Sequence, residues 1–229
     1  MIRPAVFADL PAVVAGFTTR AFAPPAEGVL DDARPRLGAQ FDFAEVASAG
    51  QVHASDVAVV EAGGHTPAHD GLVTSRPGVL LTVLSADCAL VLLADAAAGV
   101  VGACHWGWGG TVAVVVRRAV ETLEGRGAAP ARIRAYVGPC ISAEAFEVGE
   151  EVAAQFAAEH VVRRPDWPRP HVDLRGAVAA QLRAAGVPEG QTEIDAACTA
   201  SELDRFYSYR AEGGTPGRLL GFIGLRGER

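Results

Sequence analysis

Between Val79 and Cys104 the chain is almost continuously apolar, and the breaks fall where turns are needed. VLLTVL, ALVLLAD and GVVGACH are short runs rich in β-branched residues, separated by polar or glycine-containing turns. Runs of this length without polar alternation predict strands buried on both faces. A membrane span is a poor reading of the same stretch. Asp87 and Asp95 lie inside it and Gly99 and Gly102 add turn character, whereas a spanning helix needs about 20 apolar residues.

After His105 the period changes. In TVAVVVRRAVETLEGRG, Arg117, Arg118, Glu121 and Glu124 recur at helical spacing, Thr111 is a candidate cap, and Gly125 and Gly127 supply the stop. RIRAYVG predicts a strand entering the turn GPCIS. EVGEEVAAQFAAEH predicts a helix, and HVDLRGAVAAQLRAAGVP a second one, capped by Asp173 and stopped at Gly186-Val187-Pro188. TEIDAAC, RFYSYR and RLLGFIGL predict further short strands. Two proline-rich stretches, AFAPPAEGVLDDARPR and VVRRPDWPRPH, predict surface loops. Strands do not alternate one-for-one with helices and no repeat is visible. The expected architecture is therefore one α/β domain of the α+β kind over residues 1–229, with mixed sheets flanked by helices.

Composition narrows the function. Half of the 229 residues are hydrophobic, as in a globular protein. A formal net charge of −7 with no basic run argues against nucleic acid as a partner. All 20 basic residues are arginine, which excludes a Schiff-base or P-loop lysine mechanism. The amino terminus carries Asp9 and lacks a long apolar core, unlike a signal peptide. Cys88, Cys104, Cys140 and Cys198 are widely spaced, which suits reduced thiols in the cytoplasm.

Three side chains are candidate metal ligands: His53 in GQVHASDV, Cys88 in SADC and His105 in GACHWGWGG. Two imidazoles and a thiolate suit zinc, and three protein ligands leave a fourth position open, the catalytic arrangement. Spacing alone does not join them, and packing is the ordinary role of a buried cysteine. Cys104 is expected in the core, on the strand face opposite His105. Cys140 sits in a Gly-Pro-Cys turn that needs no catalysis to explain it. His65 and His69 are expected at a solvated loop, and His160 and His171 in ordinary hydrogen bonds. The glycines of HWGWGG allow backbone to approach a ligand, and Arg20 and Arg210 are candidate anion clamps or surface ion pairs.

QVHASDV, DGLVTSRPGVLLTVLSADCALVLLAD, GVVGACHWGWGG, VGPCISAEAFEVGEEV, DLRGAVAAQL and CTASELDRFYSYR stand in an order that resembles the YfiH-type family, also called polyphenol oxidase or laccase-domain. The resemblance runs from about Gly16 to Leu225. It implies a single laccase-type domain related in fold to cysteine-hydrolase toxins, with His53, Cys88 and His105 as catalytic metal ligands. It further implies Arg20, Gln51, Asp87 and Arg210 as substrate-pocket residues, with Asp87 orienting a ligand or the substrate. Family members act on purine nucleosides, by phosphorolysis of adenosine, inosine and methylthioadenosine and by deamination of adenosine. The implied partners are thus a purine nucleoside and phosphate, with no nucleic acid and no membrane. Activation of water against C6 of a purine is what zinc deaminases do. Phosphorolysis needs phosphate held at C1′, a task for arginine or a helix amino terminus.

The chain departs from the family at two places. Gly109 stands where H-A-G-W-R-G has its arginine, and the L-N-L-G segment near the start is missing. A catalytically weakened or purely nucleoside-binding protein is one alternative these departures raise. A second makes Cys88 a nucleophile and His105 its base in a metal-free hydrolase that edits peptidoglycan precursors. A third is copper-dependent oxidation of phenols. It ranks below zinc, because a blue-copper site uses an axial ligand such as methionine and Met1 is the chain's single methionine.

Overall fold

The computed structural model describes residues 1–22, 29–107, 115–214 and 217–227. Along the chain its elements are β1 (Val13–Phe17), α1 (Val29–Gln40), β2 (Glu45–Gly50), β3 (Val57–Val59), β4 (Gly64–Pro67), β5 (Gly71–Thr74), β6 (Val79–Ser85), β7 (Ala89–Asp95) and β8 (Val100–Trp106). There follow α2 (Val115–Glu124), β9 (Arg134–Val137), α3 (Glu150–Ala153), β10 (Val161–Val162), β11 (His171–Val172), α4 (Leu174–Ala184), β12 (Thr192–Ile194) and β13 (Leu219–Leu225). One sheet has the order β1-β13-β6-β2-β4 and the other β12-β9-β7-β8-β5-β3, while β10 and β11 pair alone. Both large sheets are mixed. β13 is antiparallel to β1 and β6, whereas β2 runs parallel to β6 and β4.

The apolar runs are explained by a four-layer stack, helix on sheet on sheet on helix. Along β7, Leu90, Leu92 and Ala94 enter the core between the sheets, where they meet Leu81, Val83 and Ile223 of the other sheet. Ala89, Val91 and Leu93 face the opposite way, into a second core with Val116, Val120 and Leu123 of α2 and Val178 and Leu182 of α4. A third core, under α1, joins Ala33 and Leu37 to Leu80, Leu220 and Phe222. A strand buried on both faces needs apolar residues at every position, hence no alternation. Cys104 is fully buried in the α2–α4 core, on the face opposite His105 as expected. No helix of the described residues is long and apolar enough to cross a membrane.

Four local expectations are corrected. The first proline-rich stretch is not all loop, for α1 begins at Val29 and runs through Pro35. Burial of Ala33 and Leu37 against the sheet overrides the proline. The expected helix from Glu147 onward is a single α-turn, α3. Beyond it Gln155 and Phe156 donate to residues three back, and the chain tightens instead of continuing. The second proline-rich stretch is flanked by the paired β10 and β11, with Trp167 stacked on His171 at 3.7 Å between centroids. RFYSYR is a turn rather than a strand, for reasons given below. The capping of α4 is as expected, since the Asp173 carboxylate accepts from Gly176 N–H at 3.0 Å and Gly186 has φ +86°. The candidate cap Thr111 lies outside the described residues.

Asp95 closes the far end of β7. It accepts from Ala97, Ala98 and Ala129 N–H and pairs with Arg132 at 2.8 Å. Burial raises its pKa, but the N–H donors and Arg132 outweigh burial and hold it below its ordinary 3.8. A depressed carboxylate stabilises the fold fully above its unfolded pKa, and that contribution is lost as pH falls through the folded value. Asp95→Asn is therefore expected to flatten the acid limb of unfolding stability below about pH 4, measured by chemical denaturation across pH. An unchanged acid limb would contradict the assignment.

Candidate functional site

At one end of the sandwich β2, β6 and β8 finish and β7 begins. The chain there delivers His53, Cys88 and His105 from three separate segments, with ligand atoms all within 4.8 Å of one another. This is the single group of three such side chains among the described residues. The His53 and His105 rings meet edge to face, with centroids 4.8 Å apart. His105 follows Val101 and Ala103 on the inter-sheet face of β8 and is buried, whereas His53 is exposed.

Two buried carboxylates build this arrangement. Asp70, just before β5, is fully buried and accepts His105 Nδ1–H at 2.9 Å, while its carbonyl accepts His105 N–H at 2.7 Å. The same carboxylate accepts from the N–H groups of Val52, His53 and Ala54 at 2.7–3.1 Å. These bonds hold His53 in the left-handed region, φ 60°, which a non-glycine residue adopts only when its surroundings impose it. Binding Nδ1 leaves Nε2 of His105 as the ligand atom, as in carboxylate–histidine–metal arrangements. In sequence, GGHTPAHDG has the look of a solvated loop and gives Asp70 no role. The available signal was a carboxylate directly abutting GLVT, whose four residues are all buried.

Asp87 plays the matching part on the other side. Its φ is +88°, and its buried carboxylate accepts from Thr199 Oγ1 at 2.6 Å, Ser208 Oγ at 3.0 Å and Arg210 N–H at 2.7 Å. This is why RFYSYR turns. The carboxylate beside Cys88 gathers the turn beneath the cavity and fixes the backbone of Arg210. The Arg210 guanidinium donates to the carbonyl of Glu147 at 2.8 Å. Gln51 clamps the end of β6 through Leu84, donating to its carbonyl at 2.8 Å and accepting its N–H at 2.6 Å. Gln51, Asp87 and Arg210 all line the cavity.

Arg20 is not brought to the cavity wall. Its guanidinium is engaged with Glu212 at 2.8 Å and the Phe206 carbonyl at 2.9 Å, over the Tyr207 ring. It anchors the turn that carries Arg210. His65, expected at a solvated loop, lies on β4, exposed and on the cavity wall, with Nδ1 3.1 Å from Ser48 Oγ. His69, four residues further on, has Nδ1 2.7 Å from the Pro67 carbonyl. His171 is buried and bonded to the Ala143 carbonyl at 2.7 Å, while His160 lies 3.5 Å from Glu159. Gly109, where the arginine of the resembled motif is missing, lies outside the described residues.

The cavity has a volume of about 1060 Å³, ample for a small-molecule ligand. Ile141, Phe146, Val148, Val152 and Leu174 give it an apolar wall, and Arg34, Arg169, Arg210 and Arg218 place guanidinium groups around it. Tyr209, 60% exposed, adds an aromatic ring. At the floor, burial pushes the Cys88 thiol up, yet hydrogen bonds from His105 and His53 outweigh it and bring the pKa down to about 6. Burial pushes His105 down, but Asp70 and Cys88 raise it to about 9. The result near neutral pH is a thiolate, the form a metal requires, beside a protonated His105 whose Nε2 proton a metal displaces on binding.

The donor set fits a metal. Tetrahedral zinc, with bonds of about 2.0–2.3 Å, holds its donors ~3.6 Å apart, so a small inward shift of the three atoms completes three corners. Gly107 keeps the space clear, since a Cβ there would lie 2.2 Å from His53 Cδ2 and 3.0 Å from His105 Cε1. Gly107→Ala is expected to displace His53 and weaken zinc by about tenfold or more, measured by competition with a chromophoric chelator. Unaltered affinity would show that His53 is not a ligand.

Residues 27–226 match the family described as multi-copper polyphenol oxidoreductase laccase. A purine nucleoside phosphorylase of Deinococcus radiodurans is 45% identical, covering 93% of this chain and 90% of the relative. An adenosine deaminase, RL5, from an unknown prokaryotic organism is 40% identical over 66% of this chain and 60% of its own length. Among solved structures, YlmD of Geobacillus stearothermophilus superposes with a TM-score of 0.85 at 29% identity, covering 98% and 94% of the two chains.

Proposed function

The chain belongs to the multi-copper polyphenol oxidoreductase laccase family, and from that premise we propose that it is a zinc-dependent enzyme acting on purine nucleosides, by phosphorolysis and by deamination of adenosine. The observation that carries the reading is the convergence of His53, Cys88 and His105 at the floor of a cavity ringed by arginines. The names of the phosphorylase and deaminase relatives supply the substrate class.

Zinc held by these three residues supplies Lewis acidity and makes water more acidic. The protein's own residues do the rest. Asp70 fixes the His105 tautomer and keeps its Nδ1 proton, while the apolar wall and Tyr209 accept the purine ring. Arg210, braced by Asp87 and Glu147, offers a fixed guanidinium to phosphate or to developing negative charge. In this reading residues 1–229 act as one domain, and Arg20 and Gln51 hold the substrate-binding loops in place. Free cysteines at all four positions suit a reducing compartment such as the cytoplasm. Zinc is preferred to copper because Met1, the one methionine, is at the chain terminus and outside the cavity lining.

A second reading rests on one observation, the lowered Cys88 thiol beside His105, which also suits a metal-free cysteine nucleophile. Chromatography of adenosine incubated with the zinc-loaded protein separates the possibilities. Adenine and ribose 1-phosphate, formed only when phosphate is present, are expected from phosphorolysis. Inosine, formed with or without phosphate, is expected from deamination. Recovery of adenosine unchanged in both buffers would overturn the proposal.

A further inference from the structure

Cys140 and Cys198 take no part in the metal site, yet the fold sets them directly opposite each other. β9 and β12 run parallel in the register Thr192↔Ala135, Glu193↔Tyr136 and Ile194↔Val137. Continued unchanged, that register would place residue 197 against Cys140. Instead the two chains bridge again at Cys140↔Cys198, because the segment after β12 contains one extra residue. Asp195 shapes this bulge, accepting Ala197 N–H at 2.9 Å and the Tyr136 hydroxyl at 2.9 Å. Arg175 locks both strands by donating to the carbonyls of Cys140 and Ala197. Thr199 N–H adds a bond to the Cys140 carbonyl at 3.2 Å.

Bridge partners in a sheet have side chains on the same face and backbones about 4.8 Å apart, within the Cα range of about 4.4–6.8 Å that a disulfide spans. The surroundings of the two sulfurs differ. Cys198 is 8% exposed, and its Sγ accepts from Ser142 N–H at 3.3 Å and Ser201 Oγ–H at 3.4 Å. Cys140 has no exposed surface. Burial raises both thiols, but the donors around Cys198 bring it below its ordinary value, whereas Cys140 is pushed up to about 12. One sulfur is thus prepared to meet an oxidant and the other to wait behind it.

We propose that Cys140 and Cys198 form an oxidisable dithiol that closes to a disulfide under peroxide. The Cys198 thiolate attacks one peroxide oxygen, the O–O bond breaks, and sulfenic acid and hydroxide form. The Cys140 sulfur then displaces the sulfenic oxygen, the S–S bond forms, and the Cys140 proton leaves with that oxygen as water. Two thiols lose two electrons and one hydrogen peroxide becomes two waters. The neighbours of this pair brace the metal site. Ile141 N–H donates to the Asp87 carbonyl at 3.0 Å and Thr199 donates to the Asp87 carboxylate. The proposal does not depend on which reaction the cavity carries out.

The test is hydrogen peroxide treatment of the zinc-loaded full chain, alkylation of remaining thiols, and peptide mapping without reductant. A Cys140–Cys198 cross-linked peptide about 2 Da below the sum of its parts, released by dithiothreitol, is the expected result. Fully buried Cys104 serves as the internal thiol that stays reduced. In Cys140→Ser the resolving sulfur is gone, and Cys198 is expected to be trapped as a dimedone adduct. Peroxide that oxidises Cys88 while both Cys140 and Cys198 remain alkylatable would overturn the proposal. So would oxidation of Cys198 beyond sulfenic acid with Cys140 still free in the unmutated protein.

Discussion

Cys88→Ser is expected to leave the fold intact and remove both bound zinc and turnover, the latter by about a hundredfold or more, beyond the roughly 10–100-fold that altering an outer partner of a ligand costs. The reasoning is chemical. Serine has nearly the shape of cysteine, but its hydroxyl stays protonated where the thiolate is already formed. His105 and His53 bring the Cys88 pKa down to about 6, so the native sulfur meets a metal as an anion near neutral pH. The backbone at this position is held independently, since Ser85 donates to the Cys88 carbonyl and Asp87 is fixed by three donors. Far-ultraviolet circular dichroism should therefore be unchanged while metal analysis falls to the background of a chelator-treated control. Stoichiometric zinc retained in Cys88→Ser would remove Cys88 from the ligand set.

Asp70→Asn is expected to cost ten- to a hundredfold in zinc affinity, about the range seen when an outer hydrogen-bond partner of a ligating histidine is altered. Asparagine keeps the volume and one acceptor oxygen but loses the charge that holds His105 Nδ1–H. Burial alone would raise the Asp70 carboxyl, yet His105 and the N–H groups of Ala54 and Val52 keep it below its ordinary value. It is therefore an anion throughout the working range. Asp70→Ala goes further, since the N–H groups of Val52, His53 and Ala54 lose their acceptor. These N–H groups are only part-buried, so water offsets some of the loss, which for a fully buried group is about 1–3 kcal/mol, and the left-handed turn at His53 loses its restraint. Asparagine should thus act mainly on metal affinity and alanine on affinity and melting temperature together. Equal zinc affinity in both variants and the unmutated chain would refute the role given to Asp70.

The parts of this site that were legible in the sequence are those with a local cause. β6, β7 and β8 could be read because burial on two faces leaves no polar position inside them, and α4 because Asp173 and Gly186 mark its ends. His53, Cys88 and His105 could be named as ligand types, but their meeting depends on three segments brought together by two sheets, which no spacing within one element encodes. Asp70 was hidden by its polar neighbours. A carboxylate among histidines and glycines looks solvated until its burial under His105 is known. Pro35 masked α1 because packing against the sheet outweighs local propensity. Arg20, which its charge offered equally as an anion clamp or an ion pair, makes its contacts with Glu212, Phe206 and Tyr207, partners that no local spacing encodes. The turn at Ser208–Arg210 depends on Asp87, 121 residues from Ser208 in sequence, and strand propensity pointed the wrong way.

The central claim is that metal held by His53, Cys88 and His105 makes the arginine-ringed cavity a nucleoside site. The most direct measurement is adenosine turnover in phosphate by the protein stripped of metal and then titrated with zinc. Turnover is expected to vanish on stripping and return in proportion to zinc, reaching its plateau at one ion per chain. Turnover that persists undiminished in the stripped protein, or fails to return when that one ion is bound, would contradict it.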